Sequence, residues 1–246
     1  MRFVKAHAYG NDFLLVPEAE AESDPSALAR RLCDRHRGIG ADGLILYRDR
    51  PRGAAMRLLN ADGSAAEVSG NGARCLAAWV ARARGEAATG LVAIETQAGT
   101  IDFEPLGRDG SRAIFRAAMT PPQGLAERDL DVAGRRVRVV VVRVGNPQCV
   151  VLVTPDQLRA ESLGALGPAL SRHPSFPEGT NVELAALEAP DRVRILIWER
   201  GVGPTESSGT GACAAAVAAV DHAGAARDLE VVAPGGAQRV AWTEDG

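Results

Sequence analysis

Lysine is almost missing from this 246-residue chain: Lys5 is the only one among 28 basic side chains, the rest being arginine. A pyridoxal phosphate enzyme needs a lysine for its Schiff base, and Lys5 lies near the start of a strand-like run, which counts against that cofactor. No GxxxxGK[ST] loop points to ATP, and no glycine-rich fingerprint followed by a well-placed acid points to NAD. The four cysteines, Cys33, Cys75, Cys149 and Cys213, form no CxxC pair and sit in mostly apolar surroundings. That suits reduced, buried thiols better than disulfides or a zinc site, so no metal is expected. Aromatics make up 4% of the chain, net charge is -3, and no stretch gathers arginines with aromatics between them, which excludes nucleic acid as a natural partner. Apolar runs such as "VVVV" and "ACAAAVAAV" are far too short to cross a bilayer, and "MRFVKAHAYGNDF" lacks the pattern of a secretory signal. The expectation is a cytoplasmic, metal-free and cofactor-free metabolic enzyme whose chemistry comes from side chains.

With 46% hydrophobic and 24% charged residues, the chain can bury a core of one large or two medium domains. Internal repetition favours two. "EVSGNGARCLAAW" (67–79) and "TESSGTGACAAAV" (205–217) are two versions of one motif, with Ser208 lying 139 positions after Ser69. At that same offset Asn60 of "LLNADG" aligns with Glu199 of "IWERG", and Asp42 of "GIGADGLIL" with Asn181 of "PEGTNVEL". At an offset of 135, "AYGNDFLLV" aligns with "RVGNPQCVVLV". Four landmarks in the same order indicate two copies of one ancestral unit, joined near "AAMTPPQG" at 117–124. The halves are taken as residues 1–117 and 118–234, with the tail 235–246 expected to pack back on the first half.

Each half reads as strand, Gly-Asn turn, strand, helix, more strand, then a glycine-rich turn into a helix. "DPSALARRLCDRH" has a capping acid at Asp24, a proline at the first helical position and apolar residues at helical spacing. The helix after Ser208 is apolar nearly all round and closes at Gly224, so it belongs at the centre of its domain, and by symmetry so does the helix after Ser69. Glycines at 70, 72, 209 and 211 let the backbone approach a ligand and turn sharply. The N-H groups and positive dipole end of each helix suit an anion, typically a carboxylate. Two such ends related by a twofold axis would hold one carboxylate, with Ser69 and Ser208 on opposite sides of the carbon bearing it. The plainer reading makes both serines N-caps.

These motifs resemble the diaminopimelate epimerase family along nearly the whole chain: "FVKAHAYGNDFLLV", "DRHRGIGADGLIL", "LLNADGSAAEVSGNGARC", "VGNPQCVVLV", "PEGTNVEL" and "WERGVGPTESSGTGACAA", in the family's order. The resemblance implies a mixed α/β (α+β) fold of two pseudo-symmetric domains, each a strand barrel around a central helix, with the active site in the cleft between them. It implies a cofactor-free, two-base inversion of an α-carbon, interconverting LL- and meso-2,6-diaminopimelate on the route to lysine and peptidoglycan. The partner would be a small diaminoacid; the oligomeric state, a homodimer included, stays open. Asn11, Asn60, Asn146, Asn181, Glu199 and Arg200 match the family's substrate-binding positions. Gly70, Asn71, Gly209 and Thr210 would hold the reacting carboxylate through their backbone N-H groups.

The departures fall on the chemistry. Ser69 and Ser208 stand where the family has its two catalytic cysteines, and Gln148 where it usually has a histidine. Cys75 and Cys213 match family cysteines outside the catalytic pair and lie about a turn and a half into their helices. A thiol titrates near 8.5 and an alcohol nearer 15.7, so an alkoxide costs on the order of 10 kcal/mol more than a thiolate. A helix end returns roughly 0.3 to 2 kcal/mol of that. Serine therefore needs an adjacent base; Glu199 and Glu67 are acids within reach in sequence, and His36 and His173 fall near the repeat offset. Three readings follow: an epimerase using activated serines or another base; a relative with altered chemistry, such as dehydration of a hydroxy-amino acid; or a silent diaminoacid-binding protein. The intact asparagines and Arg200 favour the first, with Ser69, Ser208 and Glu199 as its catalytic candidates.

Overall fold

The structure, a computed structural model, describes residues 1–66, 69–85 and 90–244. It divides into two compact units, Met1–Ala118 and Met119–Gly246, described here one at a time.

The first unit runs β1 (Val4–Ala8), β2 (Asn11–Pro17), α1 (Pro25–Cys33), β3 (Gly43–Arg50), β4 (Gly53–Asn60), β5 (Ala65–Ala66), α2 (Gly70–Arg84), β6 (Val92–Thr96), β7 (Gly99–Asp109) and β8 (Arg112–Ala117). Its sheet has the order β1-β2-β3-β4-β6-β7-β8, with β5 on β4. The pairs β2/β3 and β4/β6 are parallel, and a parallel pair needs a crossover, which α1 and α2 supply. Asp24 caps α1 by accepting from the Ala27 N-H at 3.0 Å, with Pro25 at the first position, as its sequence predicts. Phe13 and Leu15 of β2 and Ile45 of β3 face α2, while Leu14, Val16, Leu44 and Leu46 face α1. The strand barrel is an open one, with β1 and β8 at its edges; its curl shows in α2 touching β1, β2, β4, β6 and β7.

The second unit repeats this plan with β10 (Arg135–Val144), β11 (Asn146–Leu152), α3 (Ala160–Ser171), β12 (Asn181–Ala189), β13 (Arg192–Glu199), β14 (Gly203–Thr205), α4 (Gly209–Ala223), β15 (Asp228–Ala233) and β16 (Gly236–Ala241), preceded by β9 (Gln123–Val132). Sheet order is β16-β15-β13-β12-β11-β10-β9, with β14 on β13. The eighth strand thus differs between the copies: β8 extends the first sheet beyond β7, whereas β9 extends the second beyond β10. Helix α4 is buried along Gly211, Ala212 and Ala214–Ala219 and ends at Gly224, whose φ of 71° favours glycine.

Two expectations need correction. The C-terminal segment is part of the second sheet and not a tail beyond it: β16 pairs with β15 from Asp228↔Ala241 to Ala233↔Gly236 and forms an edge of that sheet. Nor is Asp42 the counterpart of Asn181. Phe13 pairs with Gly43 in β2/β3 and Gln148 with Asn181 in β11/β12, so Gly43 takes the place of Asn181 and Ile45 that of Glu183. The repeat is one residue longer in the second copy between β12 and β13, which a single offset in sequence hides.

Candidate active site

Ser69 and Ser208 are the N-caps of α2 and α4. Each has an extended backbone (φ -132° and -145°) and each Oγ accepts from the N-H three residues on, Gly72 or Gly211, at 3.1 Å. This is the capping role expected of serine. It leaves the earlier first-turn N-H groups, at Gly70 and at Gly209 and Thr210, with no carbonyl one turn back to accept them, the arrangement that suits a carboxylate. The Ser208 hydroxyl also lies 3.4 Å from Thr210 Oγ1.

In the second unit, strand alternation gathers polar residues on the sheet face that packs against α4. The apolar members of that face include Val150 in β11, Ala185 in β12 and Ile197 in β13. Alternation from them places Asn146 and Gln148, Asn181 and Glu183, and Glu199 on the same side. Asn146 follows Gly145 (φ 72°) in the turn between β10 and β11, and its Oδ1 accepts from Gln148 Nε2 at 2.6 Å. Gln148, where the resemblance expects histidine, is buried, and its Oε1 has no hydrogen-bond partner among the described residues. Asn181 Oδ1 accepts from the Arg200 backbone N-H at 2.9 Å. Glu199 is pushed above the usual carboxylate range by burial. Glu183 is fully buried with neither oxygen partnered, and burial, then the neighbouring Glu199, drives its carboxyl well up. A Cβ built on Gly211 would stand 2.6 Å from Glu183 Oε1 and 3.2 Å from Ser208 Oγ, so both oxygens face the small space that this glycine leaves.

Arg200 follows directly on β13. It forms no ion pair with Glu199 among the described residues; its Nη1 donates to the Glu178 carbonyl. The side chain borders an open cavity of about 520 Å³ with Phe176, Trp198 and Val202. Gly179 (φ 72°) makes room for it, since a Cβ there would meet Arg200 Cδ at 2.8 Å.

In the first unit Asn11 follows the Tyr9–Gly10 turn, both residues with positive φ, and its Nδ2 donates to Asp42 Oδ2 at 2.7 Å. Behind it lies an ion-pair network: Arg35 bridges Asp12 and Asp42 at 2.7 Å each, and Lys5 Nζ reaches Asp12 Oδ2 at 3.1 Å and the Gly40 carbonyl at 2.6 Å. Burial works against the Asp12 charge, yet Arg35 and Lys5 hold its carboxyl down at about 2. Asn60, exposed at the end of β4, donates to Ser64 Oγ at 2.9 Å. Asn71 is buried in the first turn of α2 and accepts from Arg74.

Neither serine hydroxyl is bonded to a histidine among the described residues. His173 Nε2 lies 3.2 Å from the Asp131 carbonyl and His222 stands beside Asp221 and Glu127. Glu67 lies outside the described residues. No disulfide joins any of the four cysteines among the described residues; burial pushes Cys33 up to about 11 and Cys75 to about 12, which keeps both as neutral thiols near neutral pH. Glu183 is the residue that sequence reasoning passed over. Its signal was present: a lone acid at an inward-facing position of the apolar run "NVELAALEA".

No helix among the described residues is long and apolar enough to cross a membrane. The family model for diaminopimelate epimerase matches residues 3–122 and 140–246. The chain is 42% identical over 263 aligned positions to the diaminopimelate epimerase of Desulforudis audaxviator, covering 100% of this chain and 92% of that one. It is 37% identical to the corresponding protein of Pelotomaculum thermopropionicum, with 99% and 92% covered. Among solved structures, a predicted epimerase of Pseudomonas aeruginosa aligns over 100% of this chain and 93% of its own at a TM-score of 0.70 and 19% identity. A probable proline racemase of Agrobacterium radiobacter aligns over 95% and 82% at 0.65 and 20%; at such identities the likeness is one of fold. With the family model spanning most of both units and relatives near 40% identical along the whole length, the chain belongs to the diaminopimelate epimerase family.

Proposed function

We propose that the chain interconverts LL- and meso-2,6-diaminopimelate by proton exchange at the α-carbon, without a cofactor. The observation that carries this reading is family membership along the whole chain, together with a serine-capped, glycine-flanked helix N-terminus in each unit. The first-turn N-H groups at Gly70, Asn71, Gly209 and Thr210 are assigned to the α-carboxylate. The α-ammonium goes to Glu199, and the distal amino acid end to Asn11, Asn60, Asn146, Asn181 and Arg200. Ser69 and Ser208 are assigned the proton exchange. The carboxylate cradle lowers the cost of charge on the adjacent carbon by holding negative charge at fixed N-H dipoles. A hydroxyl remains a weak base beside a thiolate, so turnover is expected to be slow.

The test is α-hydrogen exchange in heavy water. Purified protein should wash deuterium into LL- or meso-diaminopimelate slowly, and Ser69→Cys with Ser208→Cys together should raise the rate by orders of magnitude. No exchange in either protein would end the epimerase reading. Calorimetry then separates what is left: tight diaminopimelate binding marks a silent binder, and no binding marks another substrate.

A further inference from the structure

Glu183 is an anomaly of the second unit. It is a fully buried acid at 0% exposure with no hydrogen-bond partner on either oxygen among the described residues, and an unpaired buried carboxyl costs stability. It sits on β12 opposite Val150 and Ile197, under the first turn of α4, sharing the space at Gly211 with the Ser208 hydroxyl. On the neighbouring strand and the same face, Gln148 Oε1 is also unpartnered. The ionisable groups around Glu183 are Glu199 from β13 and Cys149 from β11, while α4 carries no charged side chain between Gly209 and Val220.

The first unit provides the comparison. There the position of Glu183 is Ile45 and that of Gln148 is Phe13. A Cβ built on Gly72 meets Ile45 Cδ1 at 3.0 Å, the Ser69 Cβ at 3.3 Å and Phe13 Cε1 at 3.4 Å. Two serine caps of matching backbone geometry therefore stand on different floors, one apolar and one carrying a carboxyl and an amide.

We propose that Glu183 is a positioning residue for Ser208: it exchanges a proton with the serine hydroxyl across the space left by Gly211, which makes the two serines chemically inequivalent. In one direction Oγ takes the α-hydrogen as a proton, the C-H electron pair stays on the carbon, and the original hydroxyl proton passes to an ionised Glu183. In the other, protonated Glu183 returns its proton to Oγ as the hydroxyl proton goes to the carbanion. Among the described residues, the matching position beneath Ser69 is Ile45, which has no proton to exchange. The inference rests on the epimerase reading for its chemistry, but the coupling of Glu183 to position 208 is measurable without substrate.

The experiment places a thiol reporter at each cap. Ser208→Cys and Ser69→Cys are made separately, each with and without Glu183→Gln, and the introduced thiol is titrated by the ultraviolet absorbance of its thiolate, relative to the parent serine protein. A nearby carboxylate raises a thiol's pKa. Glu183→Gln should therefore lower the titration at position 208 by about one pH unit or more and leave position 69 unmoved. An unmoved titration at 208, or equal shifts at both positions, overturns the proposal. In the wild-type background, Glu183→Gln should also cut α-hydrogen exchange at least tenfold and flatten its rise with pH, while the melting temperature holds or rises. A loss of exchange with a fallen melting temperature and an unmoved thiol titration reduces Glu183 to a structural role and overturns the proposal as well. Failure of exchange in every protein, including Ser69→Cys with Ser208→Cys, would count against the epimerase reading; the thiol titration then decides on Glu183 alone.

Discussion

Ile45 and Glu183 occupy the same place in the two copies of the repeat, each directly beneath the glycine that follows a serine cap by three residues. The duplication kept the cap, the glycines and the crossover helix, and changed the floor. This difference yields the sharpest expectations for substitution.

Gly211→Ala should be more harmful than Gly72→Ala. At Gly211 the new methyl meets a carboxyl oxygen at 2.6 Å and Ser208 at 3.2 Å, so the carboxyl, hemmed in by β11 and β13, must move. At Gly72 the tightest contact is the far end of Ile45 at 3.0 Å, with Ser69 Cβ and Phe13 Cε1 at 3.3 and 3.4 Å, and another Ile45 rotamer can relieve it. Thermal unfolding should place the first loss at roughly 1–3 kcal/mol, the usual range for overpacking, and the second well below it.

Stability should fall as pH rises above the ordinary carboxylate range. Because burial and Glu199 raise Glu183 in the folded state, the native protein keeps a proton that the unfolded chain has released. The stability this group contributes is whole below its unfolded value and is lost as pH climbs toward its folded one. The slope approaches about 1.4 kcal/mol per pH unit inside that window. Denaturant melts at several pH values should show a steeper decline in wild type than in Glu183→Gln, where the raised Glu199 carboxyl still contributes.

Asp12 acts at the acid end with the opposite sign. Arg35 and Lys5 overcome burial and hold its carboxyl at about 2 against an ordinary 3.8. Its contribution is therefore complete above the ordinary value and drains away as pH falls toward 2. Asp12→Asn should be less stable at neutral pH and show a flatter acid limb, read by circular dichroism during acid titration.

Removing either cap should cost stability apart from any chemistry. Ser69→Ala and Ser208→Ala each delete the acceptor for a first-turn N-H, worth about 1 kcal/mol. Ser69→Asp, over an apolar floor, should restore most of its loss in thermal melts without restoring α-hydrogen exchange, whereas Ser208→Asp, beside the buried Glu183 carboxyl, should not.

Much of this arrangement was readable in advance because it is local. The Gly-Asn turns, the Asp24-Pro25 helix start, the apolar helix closing at Gly224 and the duplicated serine caps are all set by short-range chemistry, and period-two and helical patterns carry them. What escaped reading depends on register. A one-residue difference between β12 and β13 hid the pairing of Ile45 with Glu183, since alignment at a fixed offset cannot see where a hairpin lengthens. The direction taken by 236–241 escaped for the same reason: edge pairing with β15 is decided by which strand is left unpaired in three dimensions. Glu183 carried a sequence signal, an acid inside an apolar strand, but its meaning needed the missing Cβ of Gly211 to become visible.

The lone lysine of the chain holds Asp12 and the Gly40 carbonyl at once, as a strut under β2 and the loop leading to β3. Among the side chains of these 246 residues, acylating reagents aimed at amines would find this one address. A single acetyl group added there would silence one of the two cations that keep Asp12 ionised, so a mild chemical label would act on the first domain like a targeted mutation.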